Sequence, residues 1–187
     1  MVSKRAGVTR RTEEILRAND RKQFYPGART FETVIFIERE ASIARRPGCC
    51  RIEAELARVR AHPRTTFVAC HLANLDYDLE RLGGLLDRLP NLYADISARY
   101  AETAVTPRFA ARFFERYQDR LVYGTDMGAD PDMYRLTFRI LETLDEHFYA
   151  PIFEYHWSYS GFGLEDPVLK KLYRTNALEV ARRAAKR

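Results

Sequence analysis

Strand-forming and helix-forming segments alternate between residues 65 and 144, and this alternation constrains the fold more than any other feature of the sequence. Short runs of β-formers occur at Thr65–Cys70, Leu92–Ile96 and Leu121–Tyr123, and a helical segment follows each run. Successive strand ends are 24 and 31 residues apart, as expected for βα units. The pattern therefore predicts an α/β fold with a parallel sheet and right-handed crossovers.

The predicted helices have recognisable starts and apolar faces. One helix covers residues 52–61 and the next covers Asp76–Leu89, while Thr106-Pro107, Asp130-Pro131 and Asp166-Pro167 mark three further starts. The helix that begins at Asp130 should run to about Leu144, and an aromatic loop at residues 147–165 follows it. The side chains expected in the core are Leu75, Leu79, Leu82, Leu86, Leu89, Phe109, Phe113, Phe114, Tyr117, Leu169, Leu172, Tyr173 and Val180.

The chain length sets a limit on this architecture. A complete (β/α)8 barrel has about 250 residues and rarely fewer than about 200. The chain has 187 residues, which is enough for one domain with a real core. A complete barrel would fit only if it were trimmed throughout.

The first 50 residues lack the regular pattern of the rest. Residues 1–60 contain 14 basic and 8 acidic side chains, whereas residues 61–187 contain 17 and 18. We expect residues 1–50 to form a divergent, basic, solvated and poorly ordered segment, with Phe31–Ile37 as its one strand candidate. A shifted reading frame and a late start site are two alternative origins for this segment. No motif supports nucleic acid as a partner.

The cysteines and the hydropathy pattern bear on localisation. Cys49, Cys50 and Cys70 form no CxxC pair, and an odd number without a disulfide framework suggests a reducing compartment. No apolar run is long enough for a signal peptide or a membrane span. We therefore expect a cytoplasmic protein with no membrane partner.

Three polar residues follow the predicted strands at their C-terminal ends, namely His71, Asp95 and Asp126. Active sites of parallel α/β folds are built at this edge of the sheet. Imidazole and carboxylate groups together can bind a divalent metal or activate a water molecule. The alternatives are that His71 is a hydrogen-bonded core residue and that Asp126 caps a turn.

Three motifs in order carry a family resemblance. The segments His62–Asn74 (HPRTTFVACHLAN), Pro90–Arg99 (PNLYADISAR) and Asp119–Asp126 (DRLVYGTD) resemble the last three strands of the amidohydrolase-related family. Asn176-Ala177 matches the usual end of that family, and the resemblance covers about residues 55–180. Members are metal-dependent hydrolases and decarboxylase-like enzymes with a TIM-barrel fold. The resemblance implies a partial TIM barrel, the C-terminal half of a (β/α)8 barrel, at residues 51–187.

The resemblance also implies roles for particular residues. His71 and Asp126 would be the catalytic residues and the ligands of a divalent metal, zinc or manganese. Arg99 would bind a small-molecule substrate, although a structural role is the alternative. His156 and Trp157 in the aromatic loop would line the substrate pocket, and packing is the alternative for them.

The chain departs from the family pattern in its metal ligands. None of its four histidines forms the HxH pair of the family's first strand, and none matches the fifth-strand histidine. We expect an incomplete metal-dependent hydrolase, which hydrolyses or decarboxylates a small carboxylated or amide substrate. The alternative is a non-catalytic C-terminal remnant without a cofactor, which self-associates into a homo-oligomer through open sheet edges.

Overall fold

The computed structural model describes residues 56–127, 130–153 and 155–185. Helix α1 (residues 56–61) leads into strand β1 (Phe67–Ala69), which ends in a tight turn at Cys70–Asn74. Helix α2 (Leu79–Arg88) follows, then strand β2 (Leu92–Asp95). The predictions for residues 1–50, including the strand at Phe31–Ile37 and the cysteine pair, lie outside the described residues.

The second half of the described chain repeats this order. Helices α3 (Tyr100–Thr103) and α4 (Pro107–Arg116) connect β2 to strand β3 (Leu121–Val122). Helix α5 (Pro131–Glu142) is followed by the aromatic loop, which includes a short helical turn at Pro151–Phe153. Helix α6 (Asp166–Lys170) continues through a wide turn (Lys171–Thr175) into helix α7 (Asn176–Ala185).

In the described part of the chain the strands form one parallel sheet in the order β1-β2-β3. Ala94 in the middle strand is the partner of Ala69 on one side and of Leu121 on the other. Most strand side chains are buried, with Val68 and Asp95 half-buried, as expected of a parallel sheet covered by helices. The chain therefore has the predicted α/β fold, a partial barrel of βα units.

Helix α5 begins where the sequence predicts it, whereas α2 begins three residues after the predicted start at Asp76. The Asp78 carboxylate accepts a hydrogen bond from the Arg81 amide, so α2 begins at Leu79. The Asp130 carboxylate accepts from the Asp132 and Met133 amides ahead of Pro131. Most of the predicted core side chains are buried, including Leu75, Leu79, Leu82, Leu86, Leu89, Phe113, Phe114, Tyr117, Leu169 and Leu172.

Some details of the prediction are wrong. Phe109 is 38 % exposed because it lines a groove of about 490 Å³ between α2 and α4, together with Gly84 and Arg112. Helix α5 ends at Glu142, and Leu144 beyond it is exposed. The helix ends there because the Thr143 backbone is extended.

The outer edge of β3 is covered by the C-terminal helical segment. The Tyr123 amide donates a hydrogen bond to the Leu172 carbonyl at 3.0 Å. The Asn176 side chain donates to the carbonyls of Gln118 and Leu121, each at 2.7 Å. These bonds engage the Leu121 carbonyl and the amide that follows β3, so the C-terminal helical segment covers this edge against pairing with another strand.

Candidate active site

The three predicted polar residues meet at the C-terminal edge of the sheet. His71 follows β1, Asp95 ends β2 and Asp126 lies four residues after β3. The Asp95 carboxylate accepts the His71 amide at 2.9 Å, and Nε2 of His71 lies 3.7 Å from Oδ2 of Asp126. The parallel sheet therefore brings together residues that are 55 positions apart in the chain.

His71 begins a turn with an unusual backbone. His71, Leu72, Ala73 and Asn74 are four consecutive non-glycine residues with φ between 52° and 56°. Left-handed backbone costs an L-residue about 1–2 kcal/mol, so surrounding contacts must stabilise the turn. Leu72 and Ala73 are buried in the core, and the carbonyl of Leu72 accepts the Leu75 amide at 3.0 Å. The turn directs the His71 ring across the end of the sheet toward Ser97 and Asp126.

One oxygen of the Asp95 carboxylate is engaged by three donors within the protein. Its Oδ1 accepts the amides of His71 at 2.9 Å and Ser97 at 3.0 Å, and it also accepts the Ser97 hydroxyl in a short hydrogen bond. Three donors on one oxygen tie the end of β1 to the segment that leaves β2. Asp95 therefore serves to hold His71 and Ser97 in place.

Ser97 determines which nitrogen of His71 bears the hydrogen. Nδ1 of His71 lies 2.9 Å from the Ser97 carbonyl oxygen, which can only accept a hydrogen bond. Nδ1 of the neutral ring is therefore the donor, and Nε2 keeps its lone pair. The Nε2 atom faces Asp126, with the His71 side chain 16 % exposed and the Asp126 side chain 60 % exposed.

The turn after β3 presents Asp126 to solvent. Asp126 has a φ of 61°, and the preceding Thr125 hydroxyl donates to the Met127 carbonyl at 3.1 Å. Gly124 passes close to Ser97, since a Cβ atom at Gly124 would lie 3.3 Å from the Cβ of Ser97. The small residue at position 124 lets β3 approach the segment that orients His71.

His71 and Asp126 fit two positions around one divalent cation. Two atoms that are each about 2.1 Å from a tetrahedral cation lie about 3.4 Å apart, close to the 3.7 Å between Nε2 and Oδ2. The Ser97 carbonyl on Nδ1 is the usual outer partner of a metal-binding histidine. No group of three histidine, cysteine or acidic side chains that could hold a metal occurs among the described residues.

The guanidinium group of Arg99 is engaged by its neighbours. It donates to the Asn74 side chain and, at 2.7 Å, to the Ala98 carbonyl. It also forms ion pairs with Asp76 at 3.2 Å and Glu102 at 3.7 Å. The contacts of Arg99 are thus with the end of the left-handed turn and with α3.

The two predicted pocket residues of the aromatic loop lie in a separate cluster of rings. The Trp157 ring stacks on Tyr155 at 4.3 Å and makes an edge contact with His156, which is exposed. In the described ranges, no hydrogen bond or ring contact joins His156 or Trp157 to His71 or Asp126. The substrate-lining role of His156 and Trp157 therefore stays a prediction.

Three buried polar atoms belong to side chains of α3 and of the aromatic loop. Within the described ranges, Oε2 of Glu102, Nε1 of Trp157 and the hydroxyl of Tyr159 have no hydrogen-bond partner. Burial raises the pKa of Glu102 above its ordinary value of 4.5, although Arg99 acts in the opposite direction. Burial also raises the pKa of Tyr159, and the nearby Tyr155 and Glu102 contribute.

Ser97 and Glu102 were not predicted as site residues from the sequence. A serine two residues after an aspartate is a signal for a side-chain turn, which could have suggested the bonds between Asp95 and Ser97. The contact of Ser97 with Nδ1 of His71 is made by the Ser97 backbone carbonyl. Every residue type has such a carbonyl, so the sequence could not have indicated this contact. Glu102 is an ordinary helix residue in the sequence, and only tertiary packing buries it.

Comparisons with known proteins agree with the geometry. The model of the Amidohydrolase family matches residues 51–183. A solved structure of an uncharacterised TIM-barrel protein from Bordetella bronchiseptica is similar, with a TM-score of 0.50 and 16 % sequence identity. The match covers 81 % of this chain and 46 % of that protein, so the chain spans less than half the length of its structural neighbour. The comparison with curated proteins gave no significant match.

Proposed function

The chain belongs to the amidohydrolase family, and we propose that it acts in metal-dependent hydrolysis or decarboxylation of a small carboxylated or amide substrate. The observation that carries this proposal is the pair formed by His71 and Asp126. The His71 ring is fixed by Ser97 so that its Nε2 lone pair faces the Asp126 carboxylate across 3.7 Å. Both groups lie at the sheet edge where βα proteins build active sites.

His71 and Asp126 would hold the cation, for which zinc and manganese are the candidates. A bound divalent cation lowers the pKa of a water molecule toward about 7 and polarises a carbonyl or carboxylate oxygen. Because the Asp126 side chain is 60 % exposed, its free oxygen can also accept a proton from an attacking water. In this arrangement Nδ1 of His71 would donate to the Ser97 carbonyl and Nε2 would be the atom that binds the cation.

Two protein ligands are fewer than a catalytic zinc site usually has, which is three. The described residues supply no third side chain of a suitable type near the pair. A substrate carboxylate would therefore fill a larger share of the coordination shell than in a site with three protein ligands. This favours carboxylated or amide substrates, whose oxygen atoms can coordinate zinc and are well suited to manganese.

Metal binding is the first prediction of this proposal. We expect the purified chain to bind zinc or manganese, and we expect His71→Gln and Asp126→Asn each to weaken binding more than about tenfold. His62→Gln and Asp132→Asn change the same residue types at exposed positions and serve as matched controls. Metal content by mass spectrometry and affinity by calorimetry would measure the effect. Equal affinity in all five proteins would contradict the assignment of the site.

The shortage of ligands favours a second candidate function, a non-catalytic barrel remnant that pairs with another copy of the chain. In the described ranges, no cluster reaches three ligands and the outer edge of β3 is already covered. Self-association would then use the opposite edge of the sheet, which is formed by β1. A chain that binds no metal, turns over no carboxylated or amide substrate and sediments as a dimer would support this second candidate over the first.

A further inference from the structure

We propose that Arg99 is a positioning residue that holds the left-handed turn at residues 71–74, and through it the His71 ring, rather than a group that binds substrate. This inference rests on the proposed function for its importance to metal binding, but its geometry can be tested without metal. It starts from the four consecutive residues with positive φ, a backbone that L-residues rarely adopt over such a length.

The two ends of the turn are fastened to one short segment, Asp95–Arg99, which leaves β2. At the near end, the His71 amide donates to Asp95 and its ring donates to the Ser97 carbonyl, both at 2.9 Å. At the far end, the Asn74 side-chain oxygen accepts a hydrogen bond from Arg99. The turn is thus clamped at its first and last residues.

The Arg99 guanidinium is suited to the far end of this clamp. Its Nε atom pairs with Asp76 at 3.2 Å, while its two terminal nitrogens contact Asn74, the Ala98 carbonyl and Glu102. The planar fork of an arginine can bridge several acceptors at fixed angles, which the single ammonium group of lysine cannot do. With the side chain only 25 % exposed and paired with two carboxylates, Arg99 has little capacity left for a substrate anion.

Releasing the far end of the turn should move the His71 ring. Without the Arg99 contact, residues 71–74 can relax toward ordinary backbone, and Nδ1 then leaves the Ser97 carbonyl. The ring would lose its single tautomer, and Nε2 would no longer be fixed opposite Asp126. Loss of the outer hydrogen bond of a metal-binding histidine, which here joins Nδ1 of His71 to the Ser97 carbonyl, typically lowers metal affinity by about 10–100-fold.

The experiment follows the histidine tautomers of the full chain by NMR with ¹⁵N-labelled histidine. A His71→Gln spectrum identifies the His71 signals. We expect His71 to be protonated at Nδ1 in the wild type and to be a mixture of tautomers in Arg99→Lys, with weaker zinc binding by about tenfold or more. Arg116→Lys makes the same change at an exposed ion pair with Asp87 and should leave His71 unchanged.

Two variants of Asn74 test the link itself and keep the proposal falsifiable should Arg99→Lys fail to fold. Asn74→Gly removes the acceptor without adding backbone strain, and it should give the same mixture of tautomers. Asn74→Asp, made in the wild-type chain, keeps an oxygen acceptor for Arg99, and His71 should keep the single tautomer of the wild type.

The possible results separate this inference from the proposed function. An unchanged His71 tautomer in both Arg99→Lys and Asn74→Gly would overturn the positioning role, whatever the zinc affinity. A shifted tautomer in those variants, in a protein that binds no metal even as the wild type, would support the positioning role and overturn the proposed metal site.

Discussion

Two aspartates follow neighbouring strands, yet their carboxylates have different environments. Oδ1 of Asp95 accepts three donors from the protein, whereas Asp126 is largely exposed and faces Nε2 of His71. The two amides and the hydroxyl on Oδ1 fix the position of Asp95 between β1 and the segment after β2. The exposed Asp126 carboxylate is therefore the one that we propose takes part in chemistry with His71.

Burial and charge act on the Glu102 carboxyl in opposite directions. Its Oε2 atom is buried without a partner in the described ranges, while Oε1 lies 3.7 Å from Arg99. Burial raises its pKa and Arg99 lowers it, with burial the larger effect. The folded state therefore holds a proton on Glu102 more tightly than the unfolded chain does.

We predict that Glu102→Gln changes the pH dependence of stability. The contribution of a group with a raised folded-state pKa is fully present below its unfolded pKa, near 4.5, and is lost as the pH rises through the folded pKa. Glutamine does not titrate, so the free energy of unfolding of the variant should rise relative to wild type between pH 4 and pH 7. Urea unfolding at several pH values would measure this difference. Glu115→Gln, at an exposed position, is the control, and a difference that is constant with pH would refute the prediction.

At the scale of elements, the packing of α2 on α4 depends on one of two adjacent glycines. A Cβ atom at Gly83 would lie 2.8 Å from ring carbons of Tyr117, whose hydroxyl donates to Asp87 at 3.0 Å. A Cβ atom at Gly84 would meet nothing within 4 Å, because it faces the groove between the helices. The same residue type therefore has a packing role at one position and none at the next.

Alanine substitutions at these two positions should have opposite effects. Gly84→Ala should stabilise the protein by about 0.5–1 kcal/mol, since alanine favours helix at an open interior position. Gly83→Ala should destabilise it by about 1–3 kcal/mol, since the Tyr117 ring must move. Thermal and urea unfolding of both variants would measure the two changes. Equal effects of the two substitutions would show that α2 and α4 do not pack in this way.

At the scale of the whole molecule, two buried asparagines join elements that are far apart in the chain. The Asn91 side chain donates to the carbonyls of Thr65 at 2.9 Å and His62 at 3.1 Å, before β1. The Asn176 side chain donates to Gln118 and Leu121 across 58 and 55 residues. These bonds join the segment before β1 to the start of β2, and the C-terminal helices to β3. No helix among the described residues has the length and hydropathy needed to cross a membrane.

We predict that Asn176→Ala is strongly destabilising. It leaves two carbonyls at the edge of β3 without their donor, and each lost bond of this kind costs about 1–3 kcal/mol. We expect a loss of about 2–4 kcal/mol by urea unfolding, together with a tendency to associate through the uncovered strand. Gln118→Ala removes a half-exposed amide side chain that bonds to the nearby Glu115 carbonyl, and it should change stability by less than about 0.5 kcal/mol. A similar small effect for Asn176→Ala would show that the edge is held by other contacts.

The sequence by itself determined the order of strands and helices, the cap at Asp130, and the placement of His71 and Asp126 after two strands of the same parallel sheet. These features follow from local periodicity and from residues next to one another in the chain. Only the tertiary structure decided the left-handed backbone at residues 71–74, the tautomer of His71 and the engagement of Arg99. Each of these depends on contacts between residues about 25 positions apart, and the contact that sets the tautomer uses a backbone carbonyl that every residue type carries.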